Sequence, residues 1–240
     1  MTMNLSVFKK KLLLSILLLP LVGCQQTSPV HNDKENGFTL SNVAKSDMDM
    51  LFDHQVAVTE QLLRELMLKL YLRNPYYWRS DNFESAQNKV DWIFSQNAAD
   101  LIKQTLGKRS IESMQLAFED DYAGDRILAL VFGLKSMIHD SYGGRTSFFI
   151  LDQLDPQKLY NAARNLEVAV WKLSNDRTLK GELFLVSNEL SGSVKNLSFE
   201  RLFGKLIATQ DLSAQIVADS TNRTIKNVLQ GVARYVFLPL

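Results

Sequence analysis

The sequence predicts a mainly α fold: a single helical domain of about eight helices, with at most one short β-hairpin. Three observations lead there. Apolar residues recur three and four positions apart through most of the chain, the spacing of a helix with one buried face. Those runs open at Ser, Asp or Asn and close at Gly or before Pro, the start and stop signals of helices. Only two short stretches, 146–151 (TSFFIL) and 183–187 (LFLVS), read as strands, and they are expected to pair. The chain shows no internal repeat.

The elements follow in order. Ser46 and Asp47 cap a run in which Phe52, Val56, Leu63, Met67 and Leu70 share a face, widened by Leu62 and Leu66. This first helix spans 47–73 and stops at Asn74-Pro75, because a residue before proline avoids helical geometry. Asp81 with Glu84 forms a capping box for a second helix that runs to Ser95 and turns Val90, Ile93 and Phe94 inward. A third covers 97–106 and ends at Gly107. Ser110 caps a fourth, to Asp121. Residues 125–142 form the core helix, with Ile127, Val131, Leu134 and Ile138 on one face, ended by Gly143-Gly144. Asp155-Pro156 opens the next helix, to Leu173. Ser198 caps a last helical region reaching Phe237, with a break at Asp219–Asn222. Its second half carries Ile225, Val228, Leu229, Val232 and Val236 on one face.

The first 45 residues are different. Lys9, Lys10 and Lys11 precede the apolar run Leu12–Leu19, and no acidic residue occurs before Asp33. The run is about half of the roughly 20 residues that cross a bilayer and suits a secretory signal. Leu21-Val22-Gly23-Cys24 follows directly. These four residues resemble the lipobox of bacterial lipoproteins. That resemblance implies diacylglycerol on the Cys24 sulfur, cleavage before Cys24 to remove residues 1–23, and acylation of the new amino terminus. Gln25 stands where Asp would retain such a protein in the inner membrane of an enteric-type bacterium, so the implied address is the outer membrane, with the domain facing the periplasm. In a Gram-positive source it is the outer face of the cell membrane. Residues 24–45 then read as a polar, lipidated tether, and 46–240 as the helical domain.

Composition removes several function classes. Without Lys9–Lys11 the 27 basic residues become 24 against 26 acidic ones, a net charge of about −2. That leaves no basic footprint for nucleic acid. Cys24 is the only cysteine, so the chain has no intramolecular disulfide and no cysteine-rich metal site. No G-x-S-x-G, H-E-x-x-H, phosphate-binding glycine loop or dinucleotide fingerprint occurs. No cofactor is expected.

The polar and aromatic residues leave a short roster. Tyr76, Tyr77 and Trp78 lie between two helices, where aromatics either plug the end of a bundle or present a recognition surface. Glu119, Asp120 and Asp121, with Asp125 beyond, offer oxygen atoms to a hard cation or a basic partner but lack the spacing of a calcium loop; a solvated turn is the plainer reading. His139 and Asp140 end the core helix, where a histidine suits the helix dipole. With His54 the pair resembles HD-type metal phosphohydrolases, whose remaining Asp falls to Asp219 or Asp152. His31 lies in the tether. Leu197–Arg201 resembles a fragment of a peptidoglycan-binding motif and is read as a helix cap.

The segments GDRILALVFGLKSMIHDSYGG, LDQLDPQKLYNAARN and TNRTI resemble uncharacterised bacterial lipoproteins. The expectation is a lipid-anchored envelope protein whose helical domain has a non-enzymatic binding or structural role toward an envelope protein or component. A carrier of a lipid or other apolar ligand is the alternative, and a metal-dependent hydrolase built on His54, His139 and Asp140 the third reading.

Overall fold

Phe52, Leu63, Leu66, Met67, Leu70 and Tyr71 are all buried along one face of helix α1, Asp47–Arg73, whose bounds are those the periodicity predicts. At Asn74 the side-chain amide donates to the Leu70 carbonyl at 2.8 Å, beside the Asn74 backbone amide, which donates to the same oxygen at 2.9 Å. The computed structural model describes residues 47–145, 147–148, 154–189, 196–227 and 236–240, all within one compact unit, Leu40–Leu240. The signal, Cys24, the tether and His31 lie outside the described residues, as do Asp152, the 228–235 stretch and most of the first expected strand.

Eight helices occur among the described residues: α1, α2 (Tyr76–Arg79), α3 (Ala86–Ser95), α4 (Ala98–Gln104), α5 (Ser110–Leu116), α6 (Arg126–Ser141), α7 (Pro156–Asn175) and α8 (Ser198–Thr221). Contacts between α1 and α6, α6 and α7, α7 and α8, and α8 and α1 close a ring of four long helices. Helix α6 is buried on almost every side from Ile127 to Leu134, not on a single stripe. Helix α5 packs on its outside through Gly133, where a Cβ would come within 2.7 Å of the Met114 backbone nitrogen. Asp125 caps α6 by accepting from the Ile127 and Leu128 amides, and Asp155 caps α7 from the Gln157 amide.

Several expectations need correction. The cap of α3 is Ser85, which accepts from the Asn88 amide at 3.1 Å, because the Asp81 carboxylate is taken by Lys89. Ser110 is the first residue of α5 rather than its cap; its amide donates to Ser136 Oγ at 2.7 Å. Helix α5 ends at Leu116, short of Asp121, where the Arg126 guanidinium collects the carbonyls of Ala117 and Glu119. Tyr76–Arg79, expected as loop, is one helical turn.

Two larger differences concern segments outside the ring. Helix α8 stops at Thr221, with Asn222 in the left-handed region at φ 52°, and residues 223–227 and 236–240 are not helical. Residues 183–187 form no strand; the nearest pairing is an isolated bridge between Arg177 and Leu183. Both segments are instead gripped by side-chain amides. Asn74 accepts from the Val186 amide at 2.8 Å and donates to its carbonyl at 2.9 Å. Gln157 does the same to Lys226, and Asn165 to Leu238.

Candidate functional site

The face Ala86, Lys89, Val90 and Ile93 of α3 is buried, so a lysine occupies a core position. Lys89 is 2% exposed, and all three of its ammonium hydrogens have acceptors at 2.6 Å: the Tyr77 carbonyl, Asp81 Oδ2 and Asp125 Oδ2. A buried charge persists only when paired and hydrogen-bonded in this way. The Tyr71 hydroxyl donates to the same Asp125 oxygen at 2.7 Å, and the ammonium lies 4.9 Å from the centre of the Tyr71 ring. Asp125 thus joins the N-terminus of α6 to α1 and α3 at once.

The surrounding phenols are held protonated. Burial, reinforced by the Asp125 carboxylate, raises the Tyr71 hydroxyl well above its ordinary value. Burial followed by the Asp125 charge pushes Tyr122 up to about 12. Burial also raises Tyr77, against the opposing pull of the Arg126 guanidinium. Each hydroxyl is therefore a donor at neutral pH and not a base. Lys89, fully coordinated, joins these parts without offering a free nucleophile.

Above this lock lies α2. Tyr77 and Trp78 are half-buried and packed against the core, whereas Tyr76 is 74% exposed. The Tyr76 and Tyr77 rings meet edge to face at 5.5 Å, and the Arg79 guanidinium sits 5.1 Å over Trp78. The result is an exposed ledge of one tyrosine and one arginine on a buried aromatic footing. The Lys89 bond to the Tyr77 carbonyl fixes the ledge to the core.

The other predicted residues lie elsewhere. Asp120 and Asp121 are exposed in the turn between α5 and α6, and Asp120 Oδ1 accepts from the Leu179 amide at 2.9 Å. Glu119 faces Lys108 at 3.8 Å. His139 and Asp140 stand at the far end of α6 from Asp125, about 21 Å away at 1.5 Å per residue. His139 Nδ1 is 3.9 Å from Asp140 Oδ1, which is bound by the Arg109 guanidinium. His54 is exposed on α1, and Asp219 accepts from Gln215 on α8. Among the described residues, no group of three His, Cys, Asp or Glu is placed to hold a metal ion.

Lys89 is not singled out by the sequence reading, and Asp81 enters it only as a helix cap. The available signal was the i, i+3, i+4, i+7 stripe Ala86-Lys89-Val90-Ile93, in which one core position is charged. No protein-family model matches the chain, and neither the curated proteins nor the solved structures yield a match.

Proposed function

We propose that the protein is a lipid-anchored envelope protein whose helical domain acts as a non-enzymatic binding module for another envelope protein. The anchor rests on the basic, apolar stretch that ends in Leu21-Val22-Gly23-Cys24; by the lipobox resemblance the domain works on the periplasmic side of an outer membrane. One observation carries the binding role: the exposed Tyr76 ring beside the Arg79–Trp78 pair, held rigid by Lys89. Tyr, Trp and Arg dominate the energetics of protein interfaces, and a surface fixed before binding loses less entropy on contact.

The test places a photo-crosslinking residue at Ser80, exposed beside the ledge, in cells expressing the full chain, with Leu212 on α8 as the remote control site. The expected result is a discrete adduct from Ser80 and none from Leu212. Tyr76→Ala lowers its yield about tenfold, as expected for a hot-spot residue. Lys89→Met, which releases the ledge, lowers it as well. No adduct from Ser80, or an adduct indifferent to Tyr76→Ala, overturns the proposal.

A further inference from the structure

The cation on the ledge has no anion. Arg79 is exposed, its guanidinium lies 5.1 Å over the Trp78 ring, and no hydrogen bond or ion pair engages that guanidinium among the described residues. The carboxylates closest to it in the sequence are occupied. Asp81 is bound to Lys89 at 2.6 Å, and Glu84 accepts from the Asn88 side chain at 3.4 Å. Arg73, at the end of α1, has its own partner in Glu189 at 3.1 Å.

A guanidinium carries its N–H donors in a planar fork that matches both oxygens of a carboxylate. Resting on Trp78, the fork of Arg79 is partly ordered before a partner arrives, which reduces the entropy lost on contact. Apolar rings accompany it. Tyr76 is 74% exposed. A second exposed ring, Trp92, packs on Phe83 at 5.6 Å, and the Phe83 amide donates to the Trp78 carbonyl at 3.3 Å. Polyanions such as nucleic acids are bound by many cations acting together. Here one unpaired arginine stands close in sequence to Asp81 and Glu84, so a single negative charge suits it.

We propose that the ledge recognises an acidic segment of its partner protein: an Asp or Glu carboxylate accepts from the Arg79 fork, and an apolar side chain beside it covers the Tyr76 ring. This rests on the binding role proposed above and gives that role its partner chemistry. The carboxylate supplies the acceptor that Arg79 lacks, and the apolar neighbour removes the most exposed ring of α2 from water.

The test uses the full chain in cells with the photo-crosslinking residue at Ser80, and mass spectrometry maps the partner peptide in the adduct. The expected peptide carries an Asp or Glu. Arg79→Gln lowers the adduct yield about tenfold, the loss of one hydrogen-bonded charge pair. Arg79→Lys lowers it less, because the ammonium keeps the charge and loses the fork. Replacing the mapped carboxylate by its amide lowers the yield with wild-type Arg79 and changes nothing further in Arg79→Gln, the signature of a coupled pair. An adduct that depends on Tyr76 but not on Arg79 overturns the acidic partner and leaves the binding role standing, as do independent losses from the two substitutions. An adduct to glycan or lipid with no peptide, or no adduct from Ser80, overturns both.

Discussion

A single buried oxygen, Asp125 Oδ2, receives both the Lys89 ammonium and the Tyr71 hydroxyl, while its partner Oδ1 caps α6. The phenol is part of the fold only while protonated. That gives an alkaline limit with a definite sign. Tyr71 and Tyr122 have folded-state values above their unfolded value near 10. A group raised in this way contributes stability that is fully present below pH 10 and is lost as pH rises through its folded value. Stability is therefore expected to fall between about pH 10 and 12. Lysines and other tyrosines also titrate in that window, so the comparison is with Tyr71→Phe. This variant loses about 1.5–3 kcal/mol at pH 7, the worth of a hydrogen bond to a charged acceptor. It then shows a shallower decline above pH 10. Urea unfolding at stepped pH reads both quantities; parallel curves for the two proteins would mean that Tyr71 is not a titrating element of the fold.

Elements outside the four-helix ring are fastened by amide side chains rather than by helix or sheet. Asn74, Gln157 and Asn165 each offer a carbonyl and an NH₂ that together match one residue's backbone, at Val186, Lys226 and Leu238. Asn165 is fully buried, so its pairing has no competition from solvent. Asn165→Asp keeps the shape but replaces the donor facing the Leu238 carbonyl with an acceptor. The expected cost is about 2–4 kcal/mol, because a buried carbonyl is left unsatisfied and faces a negative charge. Hydrogen exchange at the Leu238 amide should quicken with it, and unchanged exchange would show that the C-terminal residues are held by other contacts. This fastening also explains what the sequence hid. Helix bounds set by local signals are legible: Asp47 to Arg73, the Asp125 cap and the Asp155-Pro156 start. The helical spacing of Ile225 and Val236 does not hold at the described ends of that stretch, where 223–227 and 236–240 are non-helical and Val236 is exposed. The backbones of Lys226 and Leu238 are bonded by Gln157 and Asn165, some 70 positions away, and no local pattern records such contacts. Asp81 was misread for the same reason: its claim on the cap of α3 is overridden by Lys89 within the same segment but through tertiary burial.

At the scale of the whole molecule, the ring of α1, α6, α7 and α8 keeps the aromatic ledge near Asp125 apart from His139, at the other end of α6. Tyr76, Tyr77, Trp78, His139 and Asp140 are legible in the sequence, but Lys89 is not, because its role comes from burial. The chain beyond residue 23 carries a net charge of about −2, and among the described residues no helix is long and apolar enough to cross a membrane. Attachment in the proposed function rests on the lipobox resemblance at Cys24. One acyl chain binds a membrane only marginally, whereas several, at about 0.8 kcal/mol per buried methylene, hold it firmly. Mass spectrometry of the N-terminal peptide from native membranes should find a chain that begins at Cys24, with diacylglycerol on sulfur and an acyl group on the amine. Labelled palmitate should enter the wild-type protein and not Cys24→Ser. A mature chain that begins elsewhere, or an unmodified Cys24 thiol, would remove the anchor from the proposed function while leaving the ledge to be judged by its own test.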